Sequence, residues 1–219
     1  MLSKSDIIER LVNPGVVAVV RALRRDQVLP LSQALIAGGI TAIEITLTTP
    51  DAFAAIQEAR DALADRALIG VGTILKPYDC QQALEAGAQY VVTPICRPEL
   101  VALAHHANKP IMLGAYSPTE AQTAHEAGAD FIKIFPADGL GPNYIKALRA
   151  PLPHLKIVPT GGVDSTEASL KAWFDAGVVC VGMGSNLVTS ELLKAADYPG
   201  ITAKVKATLD IIQAIRGGK

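Results

Sequence analysis

Residues 131–136 read Phe-Ile-Lys-Ile-Phe-Pro, a run of strand-forming residues interrupted by one charge. Side chains of a strand alternate between its two faces, so Lys133 shares a face with Phe131 and Phe135. Both faces are apolar, which is typical of a strand that is covered on both sides. A lysine that is removed from water in such a place favours the neutral amine, a nucleophile for carbonyl carbons. The alternative is a structural lysine that pairs with a carboxylate or reaches out to water.

Short apolar runs like this one recur along the chain, and a helical pattern follows each of them. Eight runs of this kind, each followed by a helix, predict a (β/α)8 barrel. A doubly wound open sheet would also alternate, but no glycine-rich dinucleotide turn follows the first run. We expect one barrel domain over residues 1–219, capped by an amphipathic N-terminal helix. The predicted strands span residues 16–20, 41–47, 67–71, 90–94, 110–114, 131–135, 156–159 and 178–181.

Composition narrows the class of protein. Half of the 219 residues are hydrophobic, but only 5% are aromatic, which suits helices packed on a sheet. The net charge is −1 and no basic run is present, which argues against nucleic-acid binding. No window approaches the ~20 apolar residues of a membrane span, and the N-terminus has no signal-peptide core. Cys80, Cys96 and Cys180 form no CxxC pair, so we expect a cytoplasmic protein with free thiols.

Polar residues collect near the carboxyl ends of the predicted strands, where barrels carry out their chemistry. If Lys133 faces the interior, alternation places Glu44 there as well, in phase with Ala42 and Thr46. The structural alternative is a buried Glu44 that is neutralised by Lys133 or Arg21. The other residues near strand ends are Arg21, Thr73, Thr93, Pro94, Thr160, Gly161, Gly162, Gly184 and Ser185.

Two glycine-bearing strand ends are adjacent in the predicted barrel. Gly161 and Gly162 follow the seventh strand, while Gly184 and Ser185 follow the eighth. Backbone N–H groups exposed at such ends bind phosphate without added side-chain charge. The alternative is that these glycines only permit tight turns.

The histidines give no support for a metal centre. His105, His106, His125 and His154 all lie away from the predicted strand ends, and no HxH or HExxH spacing occurs. We expect His105, His106 and His125 to be solvated residues on helices. The sequence therefore predicts a lysine-based mechanism that needs no metal and no organic cofactor.

Six motifs taken together resemble one family over nearly the whole chain. They are GGITAIEITLTTP (38–50), LIGVGTIL (68–75), YVVTP (90–94), FIKIFPA (131–137), IVPTGGV (157–163) and VGMGS (181–185). The chain resembles the 2-keto-3-deoxy-6-phosphogluconate/4-hydroxy-2-oxoglutarate (KDPG/KHG) aldolases, which are class I Schiff-base aldolases. The resemblance implies a cytoplasmic homotrimer, without a cofactor, that acts on a phosphorylated keto acid and pyruvate in Entner–Doudoroff metabolism.

The resemblance also implies roles for the residues at the strand ends. Lys133 would condense with the keto carbon of the substrate, and Glu44 would move protons as general base and acid. Arg21 and Thr73 would hold the carboxylate. The remaining substrate-binding residues would be Pro94, Phe135 in the pyruvate pocket, Thr160 at the substrate hydroxyls, and Gly161, Gly162, Gly184 and Ser185 at the phosphate.

Two features leave the substrate open. Some family members carry an arginine for the carboxylate where this chain has Thr48. The run at 141–148 is shared with 6-phosphogalactonate aldolases, whereas Pro159-Thr160-Gly161-Gly162 is more similar to the gluconate branch. We therefore favour the gluconate compound, with the galactonate epimer as the alternative. A sugar-phosphate isomerase or epimerase and a non-catalytic barrel that binds a phosphorylated ligand are more distant alternatives.

Overall fold

The computed structural model describes residues 2–63 and 66–217, and its centre is a barrel of eight parallel strands. The strands are hydrogen-bonded in the order β7-β6-β5-β4-β3-β2-β1-β8, and a parallel bridge between Thr160 and Gly182 closes the ring. The predicted (β/α)8 barrel is confirmed. The strands are β1 (Val16–Val20), β2 (Ala42–Thr46), β3 (Leu68–Gly72), β4 (Val91–Val92), β5 (Ile111–Ala115), β6 (Phe131–Ile134), β7 (Ile157–Pro159) and β8 (Val181–Met183).

Helices surround the barrel, and several begin at a hydrogen-bonding cap. Ser3 and Ser117 each form a capping box with the acidic residue three positions later. The short helix α9, which the sequence did not predict, is capped by Thr189. The helices are α1 (Lys4–Val12), α2 (Val28–Ala37, after a 3-10 turn at Arg25–Gln27), α3 (Ala52–Leu63), α4 (Pro77–Glu85), α5 (Glu99–His106), α6 (Pro118–Glu126), α7 (Gly141–Arg149), α8 (Glu167–Asp175), α9 (Ser190–Lys194) and α10 (Tyr198–Gly217). None of the described helices is both long and apolar enough to cross a bilayer.

The predicted bounds of the eighth strand were wrong. The sequence placed it at 178–181, whereas β8 begins at Val181, whose N–H donates to the Gly15 carbonyl. Val178 is buried in the connection from α8, so its apolar character reflects packing and not strand pairing.

Alternation along the strands divides the core into two layers. Ile43 and Ile132 belong to the larger layer, between the sheet and the surrounding helices. Ala42 and Phe131 belong to the smaller layer, inside the barrel. Alternation around Lys133 predicts this arrangement. The polar side chains of β2 and β6, Glu44 and Lys133, therefore point into the barrel interior.

Helix α1 closes the amino-terminal end of the barrel. Its buried residues Ile7 and Leu11 pack into the interior layer. Lys4 forms an ion pair with Asp130 at 2.8 Å, and His105 Nε2 lies 2.9 Å from the same carboxylate. His105 is thus part of a half-buried cluster, and its expected solvated role was wrong. The Asp130 carboxylate also accepts the Ile111 N–H, which holds it in place between Lys4 and His105.

Substituting Gly114 with alanine tests how tightly the mouth of the barrel is packed. A Cβ at Gly114 would collide with the backbone of Pro94, which cannot rotate away as a side chain can. We expect Gly114→Ala to lower the free energy of unfolding by about 1–3 kcal/mol, measured by urea denaturation. The control is Gly217→Ala, because no heavy atom lies within 4 Å of a Cβ at that position. Equal stability of the two variants would contradict the packing.

Candidate active site

Lys133 and Glu44 meet inside the barrel near its carboxyl-terminal end. Lys133 comes from β6 and Glu44 from β2, and both side chains are almost fully buried. The Lys133 Nζ lies 3.5 Å from Glu44 Oε1. Gly72 of β3 makes the space for this contact, because a Cβ there would collide with the Glu44 carboxylate. The buried Lys133 amine therefore has one carboxylate within reach, that of Glu44. A nucleophilic amine needs such a proton acceptor beside it.

An aromatic ring covers the amine from the side of the following loop. The Lys133 Nζ lies 5.4 Å from the centroid of the Phe135 ring, which is partly exposed at the barrel mouth. Burial against the ring limits how many waters can solvate the ammonium. The environment of Lys133 is thus apolar on one side and anionic on the other.

Thr73 stands directly after β3 in a strained conformation. Its φ is +66°, in the left-handed region that β-branched residues rarely adopt. Such a conformation costs of order 1–3 kcal/mol and is found mainly at functional sites. The following N–H, that of Ile74, donates to the Val92 carbonyl at 3.2 Å and so fixes the turn. The sequence predicts Thr73 as a site residue but carries no signal for this backbone geometry.

Pro94 lies at the same mouth, after β4. It is partly buried, and its backbone passes over Gly114 of β5. Thr73 and Pro94 therefore follow two neighbouring strands between Glu44 on β2 and Lys133 on β6.

The glycine turns after β7 and β8 form a second part of the site. Gly161 and Gly162 have φ values of +93° and +69°, so side chains would be strained at both positions. One cavity lies against these turns and includes Phe135, whose ring covers Lys133, but Lys133 and Glu44 themselves are not in its lining. Its lining includes Arg21, Phe135, Thr160, Gly161, Gly162, Gly184 and Ser185.

Thr160 and Asn186 hold the two glycine turns in place. Thr160 donates its N–H to Ile134 and accepts the Ala137 N–H on its carbonyl, while its side chain occupies the space above Gly182. The Asn186 amide donates to the Val163 carbonyl at 3.0 Å and to Asp164 Oδ1 at 2.7 Å. Asn186 was missed from the sequence, although its place directly after Ser185 was the available signal.

Arg21 lies at the rim of the cavity, close to the second glycine turn. Its side chain is exposed, and its Nη1 would be 3.8 Å from a Cβ on Gly184. An adjoining cavity adds Ser190 and Lys194 beside Arg21. Lys194, which the sequence did not single out, makes this rim more cationic. The Thr48 hydroxyl lies 2.7 Å from that of Thr46, so this position supplies a hydroxyl and no positive charge.

The cysteines are poor nucleophiles in this setting. Burial raises the pKa of Cys80 to about 11 and that of Cys180 to about 12. Burial also raises the pKa of Cys96, and the charges of Glu120 and Glu99 add to the effect. All three thiols therefore remain protonated at neutral pH. Within residues 2–63 and 66–217, no three His, Cys, Asp or Glu side chains form a group that could hold a metal ion.

These features define a (β/α)8-barrel enzyme: a buried lysine is paired with a glutamate near the carboxyl end of the barrel, and two glycine turns lie at the same end. Comparison with known proteins is more specific, because residues 7–204 match the KDPG and KHG aldolase family. The chain belongs to this family, and it is an aldolase, that is, a lyase.

Three relatives illustrate the likeness. The chain is 37% identical to 2-dehydro-3-deoxy-6-phosphogalactonate aldolase of Escherichia coli (strain K12), covering 90% of this chain and 96% of the relative. It is also 37% identical to 2-dehydro-3-deoxy-phosphogluconate aldolase of Treponema pallidum (strain Nichols), covering 94% and 97%. The structure of the KDPG aldolase from Legionella pneumophila, with pyruvate captured as a covalent carbinolamine, has a TM-score of 0.81 at 30% identity and covers 91% and 95%.

Proposed function

We propose that the protein is a class I aldolase that cleaves 2-keto-3-deoxy-6-phosphogluconate to pyruvate and glyceraldehyde 3-phosphate. The observation that carries the proposal is the buried pair of Lys133 and Glu44, 3.5 Å apart at the end of the barrel where chemistry takes place. The covalent pyruvate carbinolamine of the Legionella relative supports the same chemistry. The chain would also cleave 4-hydroxy-2-oxoglutarate to pyruvate and glyoxylate.

The reaction starts when Glu44 takes a proton from the Lys133 ammonium, and the neutral amine then attacks the keto carbon. Glu44 passes this proton to the carbonyl oxygen, then takes a second proton from the attacking nitrogen and gives it to the departing hydroxyl, so that water leaves and a protonated imine forms. Glu44 then removes the proton of the C4 hydroxyl, and the bond between C3 and C4 breaks. Its electron pair moves into the imine, which becomes an enamine, while the aldehyde leaves. Protonation of the enamine carbon and hydrolysis of the imine release pyruvate and free Lys133.

The remaining residues bind the two anionic ends of the substrate. Arg21 and Thr73 hold the carboxylate, and the N–H groups of the glycine turns hold the phosphate together with the Ser185 hydroxyl. Thr160, between the two regions, contacts the substrate hydroxyls. Pro94 and Phe135 enclose the pyruvate part. The proposal needs neither a metal nor an organic cofactor, because the protonated imine serves as the electron sink.

Trapping with borohydride tests the Schiff base. We expect pyruvate and borohydride to give one reduced pyruvyl adduct per chain, and peptide mass spectrometry to place it on Lys133. Lys133→Met removes the amine, so the adduct and the aldolase activity should both be lost. The control is Lys156→Met, since Lys156 is an exposed lysine at the opposite end of the barrel. An adduct that persists in Lys133→Met would contradict the proposal.

The galactonate epimer is the second candidate, because the Escherichia coli relative at 37% identity is named for it. The two epimers differ in the direction of the C4 hydroxyl, which is worth only a few kcal/mol unless a buried partner is left unpaired. We expect kcat/KM for the gluconate compound to be the higher one, measured by coupled detection of pyruvate. A clear preference for the galactonate compound would reverse the assignment.

We also propose that the chain works as a cytoplasmic homotrimer. The three cysteines are free thiols, the form found in reducing compartments. Four exposed apolar side chains follow the neighbouring strands β3, β4 and β5, and we call them the apolar rim. The apolar rim consists of Leu75, Tyr78, Ile95 and Tyr116, and Tyr78 is 68% exposed. Apolar side chains grouped in this way are typical of an interface, and a second copy of this chain is the partner that fits.

Sedimentation analysis tests the assembly. We expect the wild-type chain to have three times the mass of one 23.0 kDa chain, and Tyr78→Glu to sediment as a smaller species because it buries a charge in the interface. Leu23→Glu places the same charge on an exposed apolar residue outside the apolar rim and should leave the mass unchanged. A wild-type monomer would rule the assembly out.

A further inference from the structure

Tyr90 is a large polar side chain that is completely buried inside the barrel. It stands immediately before β4 and packs in the interior layer with Phe131 and Val92. Its hydroxyl has no hydrogen-bond partner among the described residues. A buried tyrosine hydroxyl ordinarily has a hydrogen-bond partner. We therefore expect the Tyr90 hydroxyl to bond to a water or to a group of the active site. The catalytic mechanism proposed above does not use it.

Two glycines of β3 show where the hydroxyl lies relative to the catalytic carboxylate. A Cβ on Gly70 would collide with Cζ of Tyr90, the ring carbon that bears the hydroxyl. A Cβ on Gly72 would collide with the carboxylate of Glu44. Residues two apart on a strand point the same way, so the phenol and the carboxylate lie over consecutive interior positions. The ring of Tyr90 therefore lies one interior position below the carboxylate of Glu44, on the side away from the mouth.

The surroundings keep this hydroxyl protonated. Burial raises the pKa of Tyr90 well above its ordinary value, and the negative charge of Glu44 acts in the same direction. Lys133, on β6, faces Glu44 from across the barrel. The other interior neighbours, from β1, β5 and β7, carry no charge: Val17, Met112 and Val158. The phenol is thus a hydrogen-bond donor over the whole pH range in which the enzyme works.

We propose that Tyr90 is a positioning residue for Glu44, whose O–H donates through one ordered water to the carboxylate from below. A bridging water would satisfy the hydroxyl, which is buried and has no partner among the described residues. The bridge orients the carboxylate toward Lys133 and favours its ionised form, as a donor to a carboxylate does. This inference rests on the proposed function, since it concerns the acid–base group of the aldol reaction.

The variant Tyr90→Phe removes the O–H and leaves the ring in place. The measurement is exchange of the pyruvate methyl protons with deuterium from D2O, followed by NMR from about pH 5 to 9, because this exchange needs Glu44 to move protons. We expect kcat to fall about tenfold while KM for pyruvate stays within about twofold. The lost O–H donates only to the charged form of the carboxylate. The acid limb of the kcat profile should therefore move up by about one pH unit.

Tyr144→Phe is the matched control, because its hydroxyl donates to the Tyr116 carbonyl at 2.8 Å outside the barrel interior. Its profile should superimpose on that of the wild type. If the Tyr90→Phe profile also superimposes, or if only its melting temperature changes, Tyr90 has a packing role and the inference is wrong. If the wild-type chain itself gives neither exchange nor a borohydride adduct, the proposed function fails and not merely the role of Tyr90.

Discussion

The ion pair between Lys133 and Glu44 is the constraint on which the structure depends. Each charge is almost fully buried, and a buried charge without a partner is strongly destabilising. The two residues are far apart in sequence and come from β2 and β6, so they meet only when the sheet closes. Closure and site formation are therefore one event in this chain. A barrel with a slipped register on either strand would turn one of these charges toward the helices, among Ile43 or Ile132.

Glycines on the strands make space inside the barrel for large side chains of the neighbouring strands. Gly72 leaves room for the Glu44 carboxylate, and Gly182 leaves room for the Thr160 side chain. Gly70 does the same for the ring of Tyr90. Each of these three polar side chains is thus matched by a glycine on the neighbouring strand. Below these positions the interior is filled by the apolar residues of the smaller layer.

Much of this architecture could be predicted from the sequence because the responsible forces are local. Alternation fixes the phase of Lys133 and Glu44, and strand–helix repetition fixes the barrel. The start of β8 could not be predicted, since an apolar run such as that before Val181 reports burial and not pairing. The left-handed turn at Thr73 and the contact between Asn186 and Asp164 depend on neighbours from other strands. The unpaired hydroxyl of Tyr90 likewise becomes visible only once the interior is assembled.

Inside the barrel, glycines on one strand make room for large side chains of the next. This pairing limits how such a protein can change its substrate over evolutionary time. Any residue larger than glycine at 70, 72 or 182 meets a neighbour that belongs to the core or the site. The strands are therefore closed to gradual change at these positions. The segment after β8 is open to it, because Ser185 and, on α9, Lys194 are exposed and their side chains end in solvent. New specificities should arise at the rim of the cavity, while the reacting end keeps its composition.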